Sequence, residues 1–141
     1  MSEPRNVILD NEAVQAIQDV GHPKHRRALA VVEAATAPRA RRLGSFRLVV
    51  PTTIRVEAGW DRTASRAAVI NRLRIIDHQL DSDAANRAAS IRNALGVSVA
   101  DAHLGSALGD SASENVVITS DVSDLRRIAG HLATATTVVR L

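Results

Sequence analysis

Short apolar runs alternate along the chain with longer stretches of helical spacing. The runs are Asn6 to Leu9, Leu48 to Val50, Leu73 to Ile76, Val116 to Ile118 and Thr136 to Val139, and they read as buried strands. Between them, apolar positions recur at helical intervals over Glu12 to Val20, His25 to Ala37, Thr53 to Arg62, Ala64 to Leu73, Asp83 to Leu95, Val99 to Leu108 and Val122 to His131. Strands that alternate with helices need crossover connections, which predicts an α/β fold with a mainly parallel sheet. The punctuation agrees: Gly21-His22-Pro23 breaks the first helix, Gly44-Ser45 precedes the second strand, Pro51 stands where a helix would start, and Gly96 ends the alanine-rich helix.

A chain of 141 residues is most simply one domain, residues 1–141, with enough length for a proper core. The absence of cysteine excludes disulfides, thiolate zinc sites and a cysteine nucleophile, so any metal must take oxygen or imidazole ligands. No signal-peptide core opens the chain, and the most apolar later segment, Ala28 to Ala37, is interrupted by Glu33; a soluble, cytoplasmic protein is expected, with no membrane role. Net charge is only +3, yet every one of the 18 basic residues except Lys24 is arginine, and Arg26-Arg27, Arg39-Arg41-Arg42 and Arg126-Arg127 form clusters. Arginine forks suit phosphate, so a polyanionic partner fits, as does the plainer reading of solvated helix faces. With Phe46 and Trp60 as isolated aromatics, a base-stacking platform is disfavoured.

Ligands of a parallel α/β sheet bind at the carboxyl ends of its strands, so the acids at those junctions matter most. The first strand runs into Asp10, and the fourth runs through Thr119 and Ser120 into Asp121. The helix after the second strand carries Glu57, and Asp101 sits in the first turn of S-V-A-D-A-H-L-G-S-A-L. Taken singly, Asp10 and Asp121 read equally as helix N-caps, Asp101 as half of a capping box with Ser98, and Glu57 as a solvated side chain. Taken together, four carboxylates at one sheet edge would repel one another unless divalent cations fill the site. Oxygen ligands without cysteine point to Mg²⁺ or Mn²⁺ rather than zinc.

The segments V-I-L-D with Asp10, T-T-I-R-V-E with Glu57, S-V-A-D-A-H-L-G-S-A-L with Asp101 and V-I-T-S-D-V-S-D-L with Asp121 and Asp124 resemble, in this order, those of PIN-domain ribonucleases. The resemblance is to the VapC-like toxin half of VapBC-type toxin–antitoxin pairs and spans nearly the whole chain. It implies a three-layer α/β/α domain around a five-stranded sheet, and one or two Mg²⁺ or Mn²⁺ ions held by Asp10, Glu57, Asp101 and Asp121 for hydrolysis of RNA phosphodiesters. It also implies that Thr119 or Ser120 acts beside the metal as a supporting group or water ligand, and that Asp124 is a neighbour or alternate of Asp121. A small antitoxin partner and a homodimer are implied in the same way, with Arg39, Arg41 and Arg42 as candidates for the RNA backbone. The chain departs from the family where Asn11 replaces the usual Ser or Thr, where Leu125 replaces a common Phe, and in the arginine-rich stretch from Gly21 to Phe46.

Two other readings stay open from the residues: a catalytically inactive PIN-like binding or scaffold module, and another Mg²⁺-dependent phosphoesterase on an α/β sheet. A haloacid-dehalogenase-like phosphatase needs D-x-D after the first strand, where this chain has D-N-E, and a receiver domain needs a lysine after a late strand, where Lys24 is misplaced. No G-x-G-x-x-G or P-loop is present. His22 and His25 lack the partners of a zinc site, and His78 and His131 read as surface groups.

Overall fold

The computed structural model describes residues 5–37, 46–109 and 114–141. Its elements are β1 (Arg5–Leu9), α1 (Asn11–Gln18), α2 (His25–Thr36), β2 (Phe46–Pro51), α3 (Thr52–Ala58), a 3₁₀ turn (Ser65–Ala67) leading into α4 (Ala68–Asn71), β3 (Ile76–His78), α5 (Ser82–Leu95), α6 (Val99–Gly109), β4 (Asn115–Thr119), α7 (Val122–Leu132) and β5 (Thr136–Arg140). All four strand pairings are parallel, and the order is β3-β2-β1-β4-β5. The chain winds outward from β1 through β2 to β3, then crosses back to β4 and on to β5. Right-handed crossovers in these two directions send α1 to α4 to one face of the sheet and α5 to α7 to the other. The packing agrees, since α1 touches α2, α3 and α4, whereas α6 touches α5 and α7. The result is the three-layer α/β/α arrangement that the alternating pattern and the resemblance imply. Among the described residues, no helix is long and apolar enough to cross a membrane.

Burial on both faces explains why the central strands read as unbroken apolar runs. Val7, Ile8 and Leu9 of β1 and Val117 and Ile118 of β4 are buried, as are Leu48, Val49 and Val50 of β2. Ile17, Ile54 and Ile70 close the layer on one face, and Ile91, Leu104, Leu108, Leu125 and Ile128 close it on the other.

Two expectations need correction. The third strand is Ile76–His78, not Leu73 to Ile76: Leu73 ends a turn and Arg74 adopts a left-handed backbone with φ of 54°. Its apolar signal was a buried loop, because Ile75 is packed in the core while Ile76, on the edge strand, is half exposed. Likewise the helices expected over Thr53 to Arg62 and Ala64 to Leu73 are shorter. Gly59, with φ of 68°, terminates α3 in a conformation that suits glycine, and the next segment forms a 3₁₀ turn before the brief α4.

Gly105 sets how closely α6 meets its neighbours. A Cβ there would lie 2.8 Å from Ile128 Cγ2 and 2.9 Å from Ile91 Cδ1. Gly105→Ala should therefore push α6 away from α5 and α7 and destabilise the protein by about 1–3 kcal/mol. Chemical denaturation checks this; an alanine variant as stable as wild type would show that the two isoleucines can move aside.

Candidate metal centre

The sheet's winding reverses between β1 and β4, and sheets of this kind bind ligands at the carboxyl ends of the strands there. Asp10 follows β1 directly, and its backbone N–H still pairs with Ile118 of β4 (3.0 Å). The Asp10 side chain is 8% exposed. One carboxylate oxygen accepts from the Asn11 N–H (2.7 Å), and the other accepts from Thr119 Oγ1 (2.6 Å). Thr119, fully buried at the end of β4, also accepts from the Asp121 N–H (2.9 Å). One hydroxyl thereby ties the end of β1 to the turn that carries the next acid. Burial raises the Asp10 pKa above the usual carboxylate value despite these two hydrogen bonds, and the charges of Asp121 and Glu12 push the same way.

Asp101, Asp121 and Asp124 each present a carboxylate oxygen, and the three atoms lie within 4.8 Å of one another. Asp121 is the N-cap of α7 and accepts from the Asp124 N–H (3.4 Å), so the cap geometry brings both acids of S-D-V-S-D to one side. Asp101 arrives from α6, whose first turn is capped by Ser98 Oγ on the Asp101 N–H (3.1 Å). Ser98 thus does cap this helix, while the Asp101 carboxylate faces the other acids. Its pKa is pushed up to about 7, first by burial and then by the charges of Asp10, Asp121 and Asp124. Arg127 offsets part of that charge through Asp124 (3.2 Å), from an exposed position.

Glu57 lies at the margin of this group. It is exposed on α3, and its Oε1 accepts from Asn11 Nδ2 (2.6 Å). Asn11 also accepts from Gln15 (3.0 Å), so the residue that departs from the family pattern ties Glu57 to α1, while Glu57 stays outside the close group of Asp101, Asp121 and Asp124. A further acid escaped the sequence reading. Glu12 is held below the usual carboxylate range by the Ser120 hydroxyl and then by Lys24, with which it forms a 2.9 Å ion pair. Nothing in the local pattern links Glu12 to the chain's single lysine; α1 and α2 must pack before they meet. His103 also proves unusual. It is fully buried, its pKa is pushed down to about 4 by burial and by neighbouring His78, and its Nδ1 hydrogen-bonds Thr53 Oγ1 at 2.5 Å. His78, expected on the surface, is half buried with its ring 5.3 Å from that of His103. Arg39, Arg41 and Arg42 lie outside the described residues.

The donor set suits a hard divalent cation: carboxylate oxygens only, close enough to share an ion, with the proton affinities of Asp10 and Asp101 raised by burial and neighbouring charge. Neither sulfur nor imidazole stands among them, which disfavours zinc. Asp10 and Asp101 are buried while Asp124 is half-buried and Asp121 exposed, so the group is open to solvent on one side, and it lies where α/β sheets bind ligands.

No protein-family model matches the chain, and no curated protein matches it in sequence. Among solved structures it is similar to a chain of VapBC2 from Rickettsia felis, crystallised bound to a DNA fragment from their promoter. The TM-score is 0.59 at 8% identity, over 96% of this chain and 98% of that one. At this identity the likeness is one of fold: the five-stranded parallel sheet between helices is shared along nearly the full length of both chains.

Proposed function

We propose that this chain is a Mg²⁺- or Mn²⁺-dependent endoribonuclease, the toxin component of a type II toxin–antitoxin pair acting in the cytoplasm. The observation that carries the reading is the convergence of Asp101, Asp121 and Asp124 within 4.8 Å, beside buried Asp10. Asp10, Asp101, Asp121 and Glu57 would hold the ion, and Asp124 joins them as a direct or water-bridged ligand. A divalent ion bound there supplies Lewis acidity toward a phosphoryl oxygen and toward an attacking water. The protein's own part is to keep the ligands in place. Thr119 fixes the Asp10 carboxylate, Asn11 fixes Glu57, and the first turn of α7 fixes Asp121 against Asp124. The resemblance adds RNA as substrate, a small antitoxin that blocks the acidic site, and a homodimer, and the phosphate chemistry of arginine makes Arg39, Arg41 and Arg42 the candidates for the RNA backbone. The fold shared with a VapBC2 chain supports the same class.

The direct test is to incubate the purified protein with total RNA in Mg²⁺ or Mn²⁺ and again in EDTA. Cleavage should appear with metal and fall to background with chelator. RNA cut equally well in EDTA would overturn the metal mechanism, and intact RNA in both ions would favour a binding module.

A further inference from the structure

The helix that carries Glu57 is short and held by its neighbours: Asn11 on Glu57 (2.6 Å), Gln18 on the Ala58 carbonyl (3.0 Å), and the Arg55–Asp77 ion pair (2.9 Å). Seven residues are too few for a helix that stands alone in water. Its N-cap, Pro51, supplies no side-chain hydrogen bond, and of its residues only Ile54 is fully buried. Two threonines at its start provide external anchors. Thr52 Oγ1 accepts from the Leu80 N–H (3.3 Å), and Thr53 Oγ1 bonds Nδ1 of buried His103. Thr53 lies one turn before Glu57 on α3, and His103 lies two residues beyond Asp101 on α6. This bond therefore joins the two helices that deliver those acids, Thr53 sharing a face of α3 with Glu57.

The imidazole is itself fixed. Its ring packs against His78 of β3, while Ser106, one turn along α6, donates to the His103 carbonyl (2.6 Å) and sits 3.3 Å from His78 Nε2. The ring is fully buried and, among the described residues, its Nε2 has no hydrogen-bond partner, so the bond from Thr53, the only residue of α3 to reach it, is its polar tie.

We propose that His103 is a positioning residue: through Thr53 it holds α3, and with it Glu57, in register with the helix that carries Asp101. The inference rests on the reading of the acids as a metal centre. It accounts for the threonine pair of T-T-I-R-V-E and for a buried histidine that touches none of the acids.

The test uses the full chain with Thr53→Val, which keeps the shape and removes the hydroxyl, and Thr53→Ser, which restores it. Mn²⁺ affinity is measured from the metal-induced shift in unfolding temperature, and RNA cleavage from kcat and KM. Thr53→Val should weaken Mn²⁺ binding and lower kcat about tenfold, with KM little changed, since small misplacements of a ligand are costly. It should also lower the metal-free unfolding temperature by several degrees, because Nδ1 of buried His103 loses its partner, so each variant's Mn²⁺ shift is taken from its own metal-free value. Thr53→Ser should recover most of both losses. In a Glu57→Gln background, Thr53→Val should add almost nothing, because both changes act through one carboxylate. The inference is overturned if Thr53→Val binds Mn²⁺ as wild type does, if serine fails to rescue, or if the Thr53 and Glu57 effects simply add. Wild type that takes up no Mn²⁺ would instead overturn the metal-centre reading, and the positioning role with it.

Discussion

Asp101→Asn is expected to melt higher than wild type in EDTA at pH 8, and the order should reverse in millimolar Mn²⁺. In the folded protein Asp101 gives up its proton only near pH 7, because it is buried and faces Asp10, Asp121 and Asp124. In the unfolded chain it does so near the ordinary value of about 4. The sign follows from linkage: the folded state holds the proton more tightly, so from this group stability is greatest below about pH 4, falls as the pH rises, and levels off above about 7. A shift of this size is worth at most about 4 kcal/mol. Relaxation and residual water contact reduce this, and a gain of about 1–2 kcal/mol for the amide corresponds to several degrees at this chain length. At pH 5 the two proteins should melt closer together. Mn²⁺ binds the folded state and stabilises it by mass action, so wild type should gain much more than the variant. Thermal melts at pH 5, 6.5 and 8, in EDTA and in Mn²⁺, decide the matter. A variant that melts lower in EDTA at pH 8 and responds to Mn²⁺ like wild type would reduce Asp101 to a residue of the helix's first turn.

Asp10→Asn should abolish RNA cleavage while leaving a folded protein. An Asn side chain keeps one oxygen to accept from Asn11 or Thr119, and its amide NH₂ can donate to the threonine hydroxyl, so the tie between β1 and β4 survives in altered form. What is lost is an anionic ligand at the centre of the acidic group. Losing several kcal/mol of transition-state stabilisation corresponds to a rate at least a hundredfold lower, roughly the limit of a gel assay. In cells, expression of wild type without an antitoxin should arrest growth, and Asp10→Asn should relieve the arrest at equal protein level. Equal inhibition by both forms would show that toxicity does not depend on catalysis.

Asp10, Asp101, Asp121 and Asp124 were legible as residues that follow a strand or open a helix, because strand ends and caps depend on near neighbours, whereas Glu57 near the end of α3 carried no such local signal. The same locality explains the error at Leu73. A run of apolar residues reports burial, and only the left-handed turn at Arg74 moves the strand on to Ile76. Asp124 could be read as a neighbour of Asp121, but its place in the tight group with Asp101 depends on how α6 meets α7. Asn11 looked like a departure from the family pattern; only the packing of α1 against α3 makes it the partner of Glu57.

From its sequence alone this protein determined the alternation of strands and helices, the parallel sheet that alternation demands, and the acids at the strand ends, since each follows from periodicity and turn chemistry within a few residues. The tertiary structure decided which side chains share a neighbourhood: Thr119 with Asp10, 109 residues apart, Glu57 with Asn11, 46 apart, and Thr53 with His103, 50 apart. Those pairings arise only when the crossovers bring distant strand ends and helix starts to one edge of the sheet. No local pattern of residues carries that information, because the free energy that selects the arrangement comes from burying the whole core at once.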